Sequence, residues 1–548
     1  MMSRTFLAVA LFATTTTPIF AQAAKTDGPA ITVQAQPLGK LLADIKLIAQ
    51  KVGGADAVKT FDEKLEDALG EKGFAGIDQT RLFGGYVILK DDLEDIGGVV
   101  MVPVTNEKDF LSLLKRMKVD AELVKDAKGL YELTPPDDTN LGDKSVRMRF
   151  KNGYAYVGIN VEDAELATEK LLAVMDVITP GETSTLSYRT YFQRYSKELK
   201  DKAIAQTDGL PALGKGFASG FPISDGLKEQ VIELFNYTKR INTQLYAESD
   251  TYAIKVNVDA KTLELSIETG ITGLKGSQLA KDITARKPTT NRFAGLVTDQ
   301  SAAGFKVQLP LFAPEIRSVV EALIKEGEKA GADKVPDEYQ PVVKEALQGI
   351  LRTVKTGDFD IAAAVIGPDA KGKFGANVGI SFEDPSALEK ELRKLHKSAP
   401  DGVKNLVKLD VAKVGTVSIH SAEVGAFLPA EAKAILGDEA SVSFAFAPKG
   451  IYVTVGKDSL AQIRAALKME PAPASVLDVA INPKRLQKLV ESINAEAAKQ
   501  LGDTLGIEDE LRSVFAISVE GGNEMKIRMV VNLKPIVGAA MGRIAPKD

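Results

Sequence analysis

The 548-residue sequence contains no cysteine and no tryptophan, and its only two histidines are His396 and His420. Without cysteine the chain can form no disulfide, no thiolate nucleophile and no cysteine-ligated metal site. Acylation at a cysteine after signal cleavage, the bacterial lipoprotein route, is closed for the same reason. Two histidines would need carboxylates to complete a zinc site. We therefore expect no metal and no cofactor.

Concentrated charge is absent as well. The chain has 69 Lys and Arg against 74 Asp and Glu, a formal net charge of -5, without a long block of one sign. Nucleic-acid binders normally carry a concentrated basic surface, so we expect no nucleic-acid partner. Aromatic residues make up only 6% of the chain, which disfavours the aromatic platforms of glycan-processing sites. Composition does not exclude catalysis by carboxylates alone.

The apolar run at the N-terminus, Phe6–Ala13, is far shorter than the roughly 18 to 20 residues that span a bilayer. Arg4 precedes this run, and Ala21-Gln22-Ala23 follows it as a small-x-small cleavage pattern. These features predict a signal peptide over residues 1–23, cleaved after Ala23. We therefore expect a periplasmic or secreted protein without a transmembrane segment.

Two local patterns repeat along the chain with the same spacing. An amphipathic stripe at Leu38, Leu41, Leu42 and Ile45 recurs at Ile316, Val319, Val320 and Leu323, and 316 minus 38 is 278. A strand and helix face at Val100, Val102, Val104, Phe110, Leu114 and Met117 recurs at Val378, Ile380, Phe382, Leu388, Leu392 and Leu395, and 388 minus 110 is again 278. The shared spacing predicts a tandem duplication, with halves at residues 24–300 and 301–548.

Alternating apolar residues on either side of turn residues predict hairpins. Two such pairs share an offset of 295 to 297: Ser145–Phe150 with Tyr154–Ile159, and Ser441–Phe446 with Ile451–Val455. Further copies of the amphipathic stripe begin at Leu227 and Leu486. Strands joined by hairpins, with helices between them, predict an α+β fold in which each half has antiparallel sheets packed against helices on one face. The glycine-rich stretch Gly209–Gly220 predicts a mobile loop.

Two glycine motifs invite a nucleotide-binding interpretation, and both fail on their details. Gly367–Lys373 has the spacing of a phosphate-binding loop, but Phe374 stands where a Ser or Thr is needed and a strand follows. This segment therefore predicts a hairpin turn. The spacing of Gly214, Gly216 and Gly220 does not match a dinucleotide fingerprint.

The remaining polar candidates also favour structural roles. His396 ends a predicted helix, where a cation is favourable. His420 neighbours Ser421, but adjacent residues on a strand point to opposite faces, so they cannot form a catalytic pair. The acidic pairs Asp91-Asp92 and Asp137-Asp138 lack the ligand spacing of a calcium loop. The sequence therefore predicts no catalytic, cofactor-binding or metal-ligating residue.

The segments Gly98–Val104, Phe110–Met117 and Arg147–Tyr156, together with the signal peptide and the lack of cysteine, resemble uncharacterised secreted bacterial proteins of a domain-of-unknown-function type. The resemblance rests on the order of strands and helices and implies no activity.

Three hypotheses for the function remain. The first is a non-enzymatic binding or structural interaction protein with an envelope or extracellular protein partner. It predicts no cluster of perturbed titratable groups in a pocket. The second is a carrier of a lipid or other hydrophobic ligand in an apolar cavity. The third is a hydrolase that uses carboxylates or a Ser-Lys pair.

Overall fold

The computed structural model describes residues 28–89, 97–125, 127–136, 144–220, 224–286, 290–310, 314–332, 335–505 and 509–533. The predicted signal peptide, Asp91-Asp92 and Asp137-Asp138 lie outside these residues.

The described strands are named β1 to β22 in chain order. They are β1 Ile31–Ala35, β2 Phe83–Ile88, β3 Gly97–Pro103, β4 Asp120–Leu123, β5 Leu130–Thr134, β6 Val146–Lys151, β7 Tyr154–Ile159, β8 Leu186–Tyr191, β9 Ser249–Asp259, β10 Glu264–Gly273, β11 Thr290–Asn291, β12 Ser301–Pro310, β13 Asp358–Ile366, β14 Gly375–Ser381, β15 Val407–Val414, β16 Val417–Glu423, β17 Ser441–Ala447, β18 Gly450–Gly456, β19 Ala472–Pro473, β20 Leu477–Ile481, β21 Arg512–Glu520 and β22 Met525–Asn532.

The described α-helices are named in the same way. They are α1 Leu38–Leu69, α2 Glu107–Arg116, α3 Val174–Val177, α4 Lys197–Gln206, α5 Leu210–Ser219, α6 Asp225–Glu248, α7 Gln278–Ala285, α8 Pro314–Ala332, α9 Gln340–Thr356, α10 Pro385–Ser398, α11 Asp401–Leu406, α12 Ala430–Leu436, α13 Ser459–Ala466, α14 Pro483–Glu491 and α15 Ala495–Leu505.

Twenty of the described strands form one sheet, and every pairing among them is antiparallel. The spatial order is β4-β5-β6-β7-β3-β2-β1-β8-β9-β10-β22-β21-β20-β12-β13-β14-β18-β17-β16-β15. At about 4.8 Å per strand the sheet extends roughly 90 Å along its surface. The α+β class with antiparallel pairing is thus confirmed, although β10 and β22 join all twenty strands into one sheet.

The connectivity reads the same outward in both directions from the central β10–β22 pair. One arm of the sheet contains the ten strands β1–β10, and the other contains the ten strands β12–β18 and β20–β22. We number the strands of each arm from 1 to 10 in chain order. Outward from the central pair, both arms then follow the order 10, 9, 8, 1, 2, 3, 7, 6, 5, 4. The registers also correspond, since Gly98 pairs with Ile159 and Ala376 pairs with Val455. Here 376 minus 98 is 278 and 455 minus 159 is 296, the two offsets that the sequence patterns show.

Local sequence explains the elements that the hydrophobic pattern predicts. Helix α2 begins after Asn106, whose side chain accepts a hydrogen bond from the Asp109 backbone N–H at 2.8 Å. Phe110 and Leu113, on the apolar face of α2, are buried against the sheet. The opposite face of the same strands packs under residues 161–178. The strands near the β4 end of the sheet are therefore covered on both faces, whereas the sequence predicted helices on one face.

One prediction from glycine content is wrong. Gly209–Gly220 is not a mobile loop, because residues Leu210–Ser219 form helix α5. A Cβ at Gly214 would lie 2.8 Å from Cβ and Cγ of Phe235 on α6. This glycine allows two helices to approach closely, which composition alone does not distinguish from flexibility.

The interpretation of Gly367–Lys373 as a turn is confirmed, since it connects the antiparallel strands β13 and β14. The boundary predicted near residue 300 remains a prediction. Just before it, β11 pairs with β19, and Phe293 packs its ring 5.1 Å from that of Tyr452 on β18.

Candidate functional site

A partly enclosed cavity of about 220 Å³ lies at the β15 end of the sheet, between helices α10 and α11 and strands β15 to β17. Its walls are mostly apolar and include Leu392, Leu395, Val403, Leu409, Phe444 and Phe446. His420 forms part of the same wall, as do Glu389, Arg393 and His396. We call this cavity the His420 pocket.

The strand register places His420 on the pocket side of the sheet. His420 pairs with Phe444 on β17, and their ring centroids are 5.2 Å apart. Ser421 pairs with Ser443, whose hydroxyl lies 2.9 Å from the Ser459 hydroxyl on α13. His420 and Ser421 therefore point to opposite faces of the sheet, as predicted.

An ion cluster closes the polar corner of the pocket. Arg393 donates from Nε and Nη2 to Glu389 Oε1, one helical turn earlier, at 2.9 and 2.6 Å. Its Nη1 and Nη2 also donate to the two carboxylate oxygens of Asp410 at 2.6 and 2.7 Å. The hydrogen bonds from Arg393, and then one from Ser418, hold the pKa of Asp410 well below its usual value. The hydrogen bond to Asp410 likewise raises the pKa of Arg393.

The tautomer of His420 is set by its neighbour on β15. Nδ1 accepts the Asp410 backbone N–H at 3.1 Å, so the ring proton of the neutral imidazole lies on Nε2. The Nε2 atom is 3.3 Å from Glu389 Oε1 and is itself shielded from solvent. His420 is only 1% exposed, and burial lowers its pKa, although the Glu389 charge opposes the shift. His420 is therefore a neutral, buried side chain behind the pocket wall.

Glu389, Asp410 and His420 bring potential ligand atoms within 4.8 Å of one another, so we tested them as a metal site. Arg393 lies between the two carboxylates of Glu389 and Asp410 and forms an ion pair with each. Its positive charge repels a cation at this place, and a metal would have to displace the guanidinium hydrogen bonds to both carboxylates. These residues do not fit a metal ion.

His396 lies in the last turn of α10, as predicted, and its Nε2 donates to the Val407 carbonyl at 2.8 Å. It thereby ties α10 to strand β15 at the pocket wall. Considered separately in the sequence, the two histidines gave no indication that they line one cavity. A usable signal was present nevertheless: Glu389, Arg393 and His396 stand at i, i+4 and i+7, on one side of a helix.

The corresponding place in residues 24–300 is packed with aromatic and aliphatic side chains. Tyr131 pairs with Met148, as His420 pairs with Phe444. The Tyr131 ring packs edge-to-face on Phe150 at 5.8 Å, and Met148 is buried in the same cluster. By the offset of 278, Leu111 is the position equivalent to Glu389, and Lys115 is the position equivalent to Arg393. The His420 cluster is thus a specific feature of residues 301–548 and not a consequence of the strand order.

Comparison with family models, with curated proteins and with solved structures finds no match to this chain. Within the described residues, no helix combines the length and the apolar character needed to cross a membrane.

Proposed function

We propose that this protein is a non-enzymatic exported binding protein that holds a small, mainly apolar ligand in the His420 pocket. The observation that carries the proposal is the mostly apolar cavity of about 220 Å³ with one polar corner. Pockets of this composition, with few polar groups that fix orientation, are typical small-molecule sites.

The size of the cavity limits the ligands that it can hold. A dry apolar cavity of about 150 Å³ is enough to bind benzene, and drug-sized ligands use roughly 300 to 1,000 Å³. The pocket, at about 220 Å³, fits one ring with a short substituent. This volume is too small for a long lipid chain, so the His420 pocket itself does not support the lipid-carrier hypothesis.

The ion cluster bears on the choice between binding and catalysis. The hypothesis of a non-enzymatic interaction protein predicts no cluster of perturbed titratable groups in a pocket, yet Arg393 and His420 line this cavity and form such a cluster with Asp410. The pKa shifts of Arg393 and Asp410 arise mainly from their mutual hydrogen bonds. Because Nδ1 of His420 already accepts a backbone N–H and Nε2 carries the proton, neither nitrogen is free to act as a base. These facts favour binding over hydrolysis.

We also propose that the chain arose by tandem duplication of a ten-strand unit. The identical ranks of the strands in the two arms of the sheet support this proposal, as does the matching register of Gly98 with Ile159 and of Ala376 with Val455. One copy then kept a packed core, whereas the other opened a ligand pocket. Export through a signal peptide over residues 1–23 stays part of the proposal, and the resemblance to secreted bacterial proteins agrees with it.

The binding proposal is tested by titrating the mature protein with α-methylstyrene while following the side-chain NMR signals of Phe444 and Phe446. We expect saturable shifts of both rings. Val403→Trp, at the pocket, should weaken binding at least roughly tenfold because the larger side chain occupies the cavity. The matched control Leu123→Trp, on the exposed strand β4, should leave binding unchanged. Absence of saturable shifts up to the solubility limit would contradict the proposal.

A further inference from the structure

The middle of the sheet has an apolar face that the fold does not seal. On the adjacent strands β9, β10, β22, β21, β20 and β12, the register aligns one row of apolar side chains: Val256, Ile267, Met529, Ile517, Leu477 and Val307. A second row, two residues further along each strand and on the same face, is also apolar and extends from Val258 on β9 to Phe305 on β12. We call these two rows the central apolar face.

Every side chain of the central apolar face remains partly exposed, and Phe305 is 40% exposed. Strands nearer the two ends of the sheet are sealed much better, since Met101, Tyr156 and Ile419 are 0% exposed. At about 4.8 Å per strand, the rows extend roughly 24 Å across the sheet. A contiguous accessible apolar surface of this kind is typical of an interaction site or a ligand groove.

Helix α6 lies over the same face of the sheet. Its residue Leu245 packs on the buried cluster that contains Tyr252, Ile271 and Met525. These three residues pair across β9, β10 and β22, and they point to the same face as Val256, Ile267 and Met529. The cluster closes one end of the central apolar face and leaves the two rows beyond it partly exposed.

Helix α8 extends this cover toward the other side. It runs antiparallel to α6, because the Ser224 backbone N–H donates to Glu326 Oε1 at 3.1 Å and Arg240 pairs with Glu315. Since α6 leads into β9 and α8 follows β12, the two helices link both sides of the central apolar face as a roof. Of the described side chains of α6, only Leu227 is buried. Roof and sheet therefore both keep accessible apolar surface, and we call the space between them the central slot.

The chemistry of the central slot restricts its occupant. The two rows of the face offer no polar side chain that would recognise a sugar, an ion or a peptide group. Strands β10, β22, β21 and β20 are paired on both sides, so they present no free edge to which a peptide strand could add. The α6–α8 roof keeps a folded protein from lying against the face.

A hydrocarbon chain needs neither a polar partner nor a strand edge. One acyl chain spans about half of a bilayer core of about 30 Å, or roughly 15 Å. It therefore fits within the extent of the two rows, and its burial there removes apolar surface of both partners from water.

We propose that the central slot is a second binding site, which takes the long acyl chain of a lipid. It shares no lining residue with the His420 pocket, so the inference goes beyond the function proposed for that pocket.

The test uses the mature protein labelled with ¹³C in the methionine methyl groups and stearate that carries a nitroxide on its chain. Met529 lies in the middle of the central apolar face, Met148 is 0% exposed, and Met175 is 79% exposed next to the cluster on the opposite face. We expect saturable broadening of the Met529 methyl signal, with Met148 and Met175 unchanged. Absence of saturable broadening at Met529, or equal broadening at Met175, would overturn the inference.

Two substitutions on β22 separate the faces of the sheet. Met529→Glu places a charge in the slot and should weaken binding of the nitroxide stearate at least roughly tenfold, read from the electron spin resonance of the bound probe. The matched control Arg528→Glu changes the neighbouring exposed residue, which points to the opposite face, and should leave binding unchanged. Equal affinity of M529E and wild type would contradict the proposal. If M529E does not fold, the broadening pattern of the wild type decides.

Competition identifies the source of the chain. Displacement of the probe by palmitate alone assigns the slot to free fatty acids, and displacement by dilauroyl phosphatidylethanolamine assigns it to phospholipids. Displacement by neither overturns the inference. The α-methylstyrene titration of the His420 pocket follows the rings of Phe444 and Phe446, so failure at either site leaves the proposal for the other in place.

Discussion

Nδ1 of His420 accepts a hydrogen bond from the backbone N–H of Asp410 at 3.1 Å. This N–H turns toward the ring because Asp410 has a φ of 57° and lies where the register of β15 shifts against β16. The carboxylate of Asp410 also accepts a hydrogen bond from the Arg393 guanidinium. One irregular residue of an edge strand thus fixes the imidazole tautomer and the ion cluster together, and several measurable consequences follow from that link.

The pKa of His420 should be lower than that of an ordinary histidine, because burial disfavours the imidazolium form. In the unfolded chain the same group titrates near 6.5, so the unfolded state takes up the proton first as the pH falls. Stability contributed by neutral His420 is therefore present above about pH 6.5 and is lost as the pH falls through and below that value. The lowered pKa of Asp410 adds a second loss below about pH 4.

Urea unfolding between pH 8 and pH 4.5 measures the first loss. The wild type should lose stability as the pH falls below 6.5, and H420N should show a smaller decline. The imidazole NMR signals give the pKa directly, with His396→Asn used for assignment, since the chain has only two histidines. An equal decline in wild type and H420N, or a His420 pKa above 6.5, would disprove the effect of burial on this histidine.

Arg393→Met should destabilise the fold, because it leaves the Glu389 and Asp410 carboxylates without their shared cation. We expect a loss of about 1–2 kcal/mol in the free energy of unfolding, discounted because the Arg393 side chain is partly exposed. Arg240→Met is a matched control: Arg240 also pairs with two glutamates, Glu233 and Glu315, but is more exposed. Its loss should stay within about 0.5–1 kcal/mol. Equal losses would contradict a special role for Arg393.

Gly349→Ala should destabilise the helix layer above the strands. A Cβ at Gly349 in α9 would overlap Cζ of Phe382, whose ring is buried. We expect a cost of about 1–3 kcal/mol. Gly327→Ala in α8 meets no atom within 4 Å and should instead stabilise by about 0.5–1 kcal/mol, through helix propensity. Thermal unfolding of the two variants checks the contrast, and a neutral Gly349→Ala would refute the packing of α9.

Expression in a Gram-negative host should yield a periplasmic or secreted product whose N-terminal residue is Ala24. Intact-mass spectrometry gives the start of the mature chain. A replacement of Leu7 and Leu11 by lysine should abolish processing, because the apolar run is then interrupted. An unprocessed wild-type chain that retains Met1 would disprove export by this route.

Sequence periodicity was sufficient for elements whose partners are near in the chain. The β6–β7 and β17–β18 hairpins, and the helices that begin at Leu38 and Pro385, follow from alternation, turn residues and apolar stripes. The pairing of β10 with β22 could not be predicted from the sequence, because nearly half of the chain separates these strands. Each of them alone has the pattern of an ordinary half-buried strand. Local patterns carry no information about so distant a partner.

The candidate site was missed for a related reason. His420, Glu389 and Asp410 come from three elements, and each residue taken alone has an ordinary structural explanation. Their meeting depends on the register shift at Asp410 and on α10 packing against the edge strands, neither of which is encoded in a short motif. The α5 glycines show the opposite error: composition suggested a loop, whereas the segment is a helix in which Gly214 packs closely against Phe235.

The most direct test of the central claim is a crystal structure of the mature protein soaked with 4-bromoacetophenone, in which the bromine is located by anomalous scattering. We expect one bromine peak inside the His420 pocket, with the ring against Phe444. Bromine found only at other surfaces, with the pocket empty at saturating ligand, would contradict ligand binding in this pocket.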